Sequence, residues 1–235
     1  MEKSVVTFTL FRFEGTAARW WAFTQMGLGV KSLLKEVEGL QFCKLLGSGS
    51  GNGFSIMPNF GAYGMMCVWE DENASENFFS NHIFFQKYKK KSSEIWTTWL
   101  KTTMSHGVWD GKNPFVTTAA FDDTKLVAVL TRATIKTRFL PHFWKFVPRT
   151  SASVIDKKGR IFSVGIGEVP IVQQATFSLW ESSKLMMDYA YKSKYHSEVV
   201  KKTRELGWYS EELFARFYPY KEKGSWNGKK MLIIQ

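Results

Sequence analysis

Cysteine is nearly absent from this chain of 235 residues, which carries only Cys43 and Cys67. Two thiols cannot build a disulfide framework, and their spacing matches no zinc motif, so the chain suits a reducing cytosol. Long apolar runs are missing as well. No stretch approaches the ~20 apolar residues that cross a bilayer, and the opening Met1-Glu2-Lys3-Ser4-Val5-Val6 lacks the apolar stretch of a secretory signal. The expectation is a cytoplasmic protein that at most rests on the inner membrane face. Acidic residues are outnumbered, 21 Asp and Glu against 32 Lys and Arg, for a net charge of +11. That balance favours anionic surfaces: nucleic acid, acidic headgroups or an acidic electron-transfer partner. No Ser-His-Asp, paired-carboxylate or Cys-His spacing is present. The glycine-rich run Gly47 to Gly53 lacks the Gly-Lys-Ser/Thr ending of a phosphate loop, and a strand follows it. It reads as a strand-connecting loop at the lip of a cavity.

Aromatic residues, by contrast, are abundant: 20 Phe, 10 Trp and 8 Tyr, or 16% of the chain. Such a density fills cores and also suits a pocket for a flat or greasy ligand. The chain is also written twice. Leu10-Phe11-Arg12 returns as Leu130-Thr131-Arg132, and Arg19-Trp20-Trp21 as Arg138-Phe139-Leu140. Gly47-Ser48-Gly49 returns as Gly165-Ile166-Gly167, and Val68-Trp69-Glu70 as Leu179-Trp180-Glu181. Trp109-Asp110-Gly111-Lys112 returns as Trp226-Asn227-Gly228-Lys229. The separation is 118–120 residues in the first three matches and falls to 111 at the fourth. A longer loop in the first half, near Gly51 to Asn59, accounts for the drop. Five matches in one order imply two similar modules packed on each other.

Each half reads the same way. Val5–Phe13 and Leu126–Ile135 alternate as strands, with Arg12 and Arg132 on the faces of Leu10 and Leu130. Helical stretches follow at Ala17–Val37 and Arg138–Ile155, the second shortened or kinked by Pro141 and Pro148. Two strands come next, then amphipathic segments Asn73–Lys101 and Ser182–Phe217, then the Trp-Xaa-Gly-Lys turn and a short apolar tail. The order β-α-β-β-α-β is ferredoxin-like. The expected α+β fold is therefore two tandem ferredoxin-like repeats, 1–118 and 119–235, packed around a cavity as a pseudo-dimeric α/β barrel.

Few residues stand out as chemistry. The basic run Lys87 to Lys91 lies in a helical pattern where a solvated face is the usual explanation, and no nucleic-acid motif accompanies it. Asp71, Glu72 and Glu76 open a helix and read as caps. Glu70 and Glu181 hold matching places and read as structural. His196 shares a helical face with Val199, Val200 and Thr203, away from Glu198, Lys201, Lys202 and Glu205. A lone imidazole there is either a hydrogen-bonded core residue or an axial ligand to haem iron.

Several segments resemble one family. Leu130-Thr131-Arg132-Ala133-Thr134-Ile135, Phe143-Trp144-Lys145-Phe146-Val147-Pro148 and Gly165-Ile166-Gly167-Glu168-Val169-Pro170 are similar to the spheroidene monooxygenase family. So are Gln174 to Trp180, His196, Gly207 to Phe217 and Gly224-Ser225-Trp226, which together cover nearly the whole second half. The first half matches mainly at Gly47-Ser48-Gly49, Gly53-Phe54 and Pro58-Asn59. The resemblance implies a haem-containing, O₂-using oxygenase, reduced by ferredoxin, that introduces keto groups into acyclic carotenoids. It makes His196 the candidate iron ligand. Arg132 becomes the candidate catalytic and cofactor-binding residue, on the distal side or against a haem propionate. An interdomain ion pair is the alternative for Arg132, since Arg12 holds the matching place. A cofactor-free oxygenase or isomerase on the same barrel, or a non-catalytic haem or lipid carrier, are the other readings of the chain.

Overall fold

The computed structural model describes residues 4–33, 36–50, 55, 57–145, 158–192 and 205–232. His196, residues 51–54 of the glycine-rich loop and the helical stretch beyond 145 lie outside them. The first repeat contributes β1 (Val5–Arg12), α1 (Thr16–Leu33), β2 (Leu40–Gly49), β3 (Pro58–Trp69), α2 (Glu72–Asn81), α3 (Ile83–Lys91) and β4 (Glu94–Gly107). The second contributes β5 (Val127–Ile135), a helical segment at 140–145, β6 (Arg160–Gly167), β7 (Gln173–Trp180), α4 (Ser183–Lys192) and β8 (Tyr209–Gly224). The expected amphipathic segments were therefore drawn too long. Helix ends at Lys91, and Glu94–Gly107 is the fourth strand, placed before the Trp-Xaa-Gly-Lys turn. Its alternation of buried and open positions imitates a helical face over short windows.

The strands close into one antiparallel barrel in the order β1-β3-β2-β6-β7-β5-β8-β4. Each repeat contributes the ferredoxin-like order, β4-β1-β3-β2 and β8-β5-β7-β6. The two sheets meet where equivalent strands pair. One junction, β4 with β8, is long; the other, β2 with β6, is only Gly47 with Gly167 and Ser48 with Ile166.

Ladder registers correct the repeat alignment. Arg12 pairs with Ala62 and Glu94, whereas the residue in β5 that pairs with the counterparts, Gln173 and Glu211, is Thr134. Arg132 instead occupies the place of Leu10, which pairs with Gly64 and Trp96 as Arg132 does with Ala175 and Leu213. Likewise Gly47 corresponds to Gly167, not to Gly165. Because the side-chain period of a strand is two, both alignments keep the same faces, and the sequence alone could not separate them.

Inward positions fill the barrel. Val6, Phe8, Leu10, Met66, Leu100, Ala128, Leu130, Phe177 and Phe217 form one buried cluster, with Phe8 stacked on Phe177 at 4.0 Å between ring centroids. The cavity expected between the sheets is packed core instead. A second cluster lies on the outer face of the first sheet, where Phe11, Tyr63, Met65 and Trp69 meet Phe78, Phe79, Phe84, Phe85 and Tyr88 of α2 and α3. Asp71 caps α2 through its carboxylate and the Ala74 amide at 2.9 Å. Glu72 and Glu76 both reach Lys221 of the second repeat, at 2.7 and 2.6 Å. Glu70 and Glu181 donate their backbone N–H to Gly39 and Gly159, the same device twice.

Candidate functional site

Both Trp-Xaa-Gly-Lys segments are tight turns closed by a bridge, Trp109 to Lys112 and Trp226 to Lys229. Their central residues all have positive φ: Asp110 54°, Gly111 76°, Asn227 56° and Gly228 71°. That is the type I′ geometry which Asp-Gly and Asn-Gly sequences favour. Each turn drops its tryptophan into the barrel core and is gripped by the opposite repeat. Glu94 of β4 accepts from the amides of Asn227 and Gly228 at 3.0 and 2.8 Å. Glu211 of β8 accepts from those of Asp110 and Gly111 at 3.1 and 3.0 Å. An arginine completes each clasp. Arg12 donates to Glu94 at 3.0 Å and lies 4.3 Å from the Trp226 ring; Arg132 pairs with Glu211 and lies 5.4 Å from the Trp109 ring.

The clasp at Arg132 is the more heavily charged. Its guanidinium is buried one ladder step deeper than that of Arg12 and also faces Glu168 at 3.5 Å and Asp110 at 3.9 Å. Lys44 of the first repeat joins Asp110 and Glu168, and the Trp109 indole donates to Glu168 at 2.7 Å. Burial works to lower the Lys44 pKa, yet hydrogen bonds to Asp110 and Glu168 outweigh it and hold the amine charged. Burial also pulls the Arg132 pKa down, against the attraction of Glu168 and Asp110. Of the two roles drawn for Arg132, the described residues display an ion-pair network: it meets Glu211 and Glu168 of its own repeat, reaches across to the first repeat only at Asp110, 3.9 Å away, and points into the barrel.

The outer face of the second sheet differs from that of the first in side-chain size. On the outer face of the second sheet, Gly165, Thr176, Thr131 and Phe214 are ladder partners across β6, β7, β5 and β8, and His106 of β4 follows. The matching row of the first repeat is Leu45, Met65, Thr9 and Thr97. In the next row Gln174, Ala133 and Glu212 stand where the first repeat has Tyr63, Phe11 and Ile95. Phe11, Tyr63, Met65 and Leu45 all belong to the first repeat's outer core. Their counterparts Ala133, Gln174, Thr176 and Gly165 are small or polar, and Thr131 at the centre is exposed. The described outer core of the second sheet is correspondingly thin: Val127, Val129, Trp180 and Met186, with Met187, Tyr189, Ala190 and Phe214 packed against it. The result is a recessed patch of small side chains in which Thr131 is exposed while Ala133 and Gly165 are buried. Four strands at about 4.8 Å spacing make it roughly 14 Å broad. Arg216, its guanidinium 5.4 Å from the Phe214 ring, stands at one margin.

The histidines divide clearly. His82 caps α3, its Nδ1 accepting from the Phe84 amide at 3.3 Å, and stacks on Phe78. His142 is exposed. His106 lies on β4 and stacks on Phe214 at 5.3 Å, beside the recess. His196 belongs by sequence to the connection between α4 and β8. In the first repeat the equivalent connection is α3, which covers the outer face of its sheet. Among the described residues no cluster of three or more His, Cys, Asp or Glu is placed to hold a metal ion, and no helix is long and apolar enough to cross a membrane. Sequence reasoning missed the recess, although Ala133, Gly165 and Thr176 opposite Phe11, Leu45 and Met65 would have marked it once the repeats were in correct register.

No protein-family profile matches the chain. Curated relatives do. The chain is 36% identical over 228 residues to spheroidene monooxygenase of Cereibacter sphaeroides, covering 95% of this chain and 69% of that protein. It is 34% identical over 230 residues to spheroidene monooxygenase of Rhodobacter capsulatus, covering 97% and 95%. Among solved structures an aldoxime dehydratase shares the fold at 10% identity and a TM-score of 0.59, covering 93% of this chain and 82% of that one.

Proposed function

Because the chain belongs to the spheroidene monooxygenase family, we propose that it is a haem-dependent monooxygenase that oxidises an allylic carbon of an acyclic carotenoid, or a similar apolar chain, to a ketone. Monooxygenase chemistry follows from the family. The haem and the substrate are our own reading, and the contrast between the sheets supports them: the second has small side chains where the first carries the bulky Phe11, Tyr63, Met65 and Leu45, which would exclude a flat apolar group. Phe214 offers a ring at the side. The packed barrel interior supports the choice of this outer face for such a group.

When bound, the haem supplies dioxygen activation, and the chain sets its surroundings. His196 is our candidate for the residue whose ring nitrogen would hold the iron. That nitrogen must be unprotonated, with the other ring N–H held by an acceptor that fixes the tautomer. Two oxidations at one allylic carbon give a geminal diol that loses water to the ketone. The electrons come from an acidic donor of the ferredoxin class, which the net charge of +11 attracts. Arg132 faces the other side of the sheet, so we give it no part in holding the group.

The test is the visible spectrum of the purified protein supplied with haem. His196→Ala should lose or strongly shift the Soret band with the fold intact by circular dichroism, whereas His106→Ala should leave it nearly unchanged. Loss on His106→Ala alone would move the ligand to β4. An unaltered spectrum in both variants would end the histidine assignment. Turnover of an acyclic carotenoid with a reducing system separates an oxygenase from a haem or lipid carrier.

A further inference from the structure

Helix α1 is apolar on two sides. Its inner side docks through Ala22, which is fully buried, and through Trp21, whose ring lies 6.0 Å from Phe13 and 5.1 Å from Tyr88 of α3. Its outer side carries Trp20 and Phe23, three residues apart and so neighbours on the helix surface. They are 67% and 46% exposed, with ring centroids 5.7 Å apart. Phe60 of β3, 45% exposed, meets Phe23 edge-on at 5.5 Å and extends the row onto the sheet. Met57, 68% exposed, lies three residues before it. Large apolar side chains gathered in contact with one another and left in water mark an interaction surface.

Charge chooses the occupant. Helix α3 covers the same sheet face as α1, so the outer sides of both helices point away from the barrel together. Around Tyr88, which touches Trp21, α3 carries Lys87, Lys89, Lys90 and Lys91, all exposed. Neither helix contains an acidic residue. Aromatic rings that stand proud of the surface beside a run of lysines match the two layers of a membrane interface, with rings at the headgroup boundary and ammonium groups among lipid phosphates. A protein partner would more often meet a pocket or a flat patch with mixed polar rim. We propose that the outer face of α1 and α3, with Phe60, is a docking surface for an anionic lipid bilayer, into which Trp20 and Phe23 insert. An apolar substrate dissolved in lipid gives this surface a purpose, but the proposal stands on the geometry and is tested without haem or carotenoid, so it can fail independently of the oxygenase reading.

The experiment is flotation of the full chain with vesicles of phosphatidylcholine alone, or with phosphatidylglycerol in roughly equal parts. The parent chain should float with the anionic vesicles and dissociate as salt rises. Trp20→Ser with Phe23→Ser, both exposed and so harmless to folding, should lower the partition coefficient roughly tenfold or more. Lys87→Gln with Lys91→Gln should lower binding to anionic vesicles about 25-fold at low salt, about fivefold per lysine, and leave the phosphatidylcholine result unchanged. Lipids brominated on the acyl chain should quench part of the tryptophan fluorescence, and Trp20→Phe should remove most of that quenching while still binding. Equal flotation of parent and Trp20→Ser/Phe23→Ser, or quenching that survives Trp20→Phe, would overturn the proposal. So would self-association abolished by the same serine pair in a chain that ignores vesicles, which would give the face to a second copy.

Discussion

At the scale of single residues, the two clasps do different work with the same parts. In the clasp around Trp226, burial pushes the Glu94 pKa up, but the amides of Gly228 and Asn227, with Arg12 and Ser225, hold it below the usual carboxylate value. A depressed folded pKa contributes stability that is present above the unfolded value, about 4.3, and is lost as pH falls through the folded value. Glu94→Gln should cost about 1.5–3 kcal/mol near neutral pH and flatten the loss of stability on the acid side. Urea unfolding at several pH values measures both, and an unchanged midpoint would deny the clasp its role. In the other clasp, Arg132→Leu restores the residue that β1 has at this ladder position but takes the cation from part-buried Glu211 and leaves Glu168 and Asp110 to Lys44 alone. It should cost about 3–5 kcal/mol. Because Arg132 points into the barrel, the surviving folded protein should keep its haem spectrum. A folded Arg132→Leu chain that bound no haem would move the cofactor to the other face of the sheet.

Among elements, the contrast between the two outer sheet faces carries the functional reading. The first face is closed by large side chains and by α2 and α3; the second carries the smaller Gly165, Thr176, Thr131 and Ala133 at the matching positions. Refilling it tests the assignment. Ala133→Phe with Thr176→Met reproduces the residues of the first repeat and should abolish haem binding at a cost of about 1–3 kcal/mol in stability, since Ala133 is already buried. Haem titration followed spectroscopically, with a melting curve of the same variant, separates a blocked recess from a damaged fold. Retention of full haem affinity would show that the recess is not the site. The exposed lysines of α3 belong to this scale too: Lys87, Lys89, Lys90 and Lys91 form the solvated face anticipated from the charge run.

For the whole molecule, closure is a shared property. Neither repeat owns a complete core, because the buried cluster inside the barrel draws on both sheets, and each clasp needs one residue set from either half. Residues 1–118 expressed alone would leave the edges of β2 and β4 unpaired, together with an apolar sheet face. That fragment should aggregate or pair with itself. Co-expression with 119–235 should restore a soluble heterodimer, read by size-exclusion chromatography. A monomeric, cooperatively folded 1–118 would show that closure is dispensable.

The sequence by itself determined the duplication, the βαββαβ order of each repeat and the Trp-Asp-Gly-Lys and Trp-Asn-Gly-Lys turns. Those features are written in local pattern, as alternation, glycine placement and repeated tetrapeptides. It also held the family, in short motifs around Arg132, Gly165 and Trp208. Only the tertiary structure decided the repeat register, because a slip of two residues preserves every inward and outward face and is invisible to periodicity. From that register follow the burial of Arg132 at the place of Leu10 and the recess where Ala133, Thr176 and Gly165 oppose Phe11, Met65 and Leu45. The filled barrel and the two reciprocal clasps were likewise beyond the sequence, since Glu94 and Asn227 lie 133 residues apart and meet only when the barrel closes.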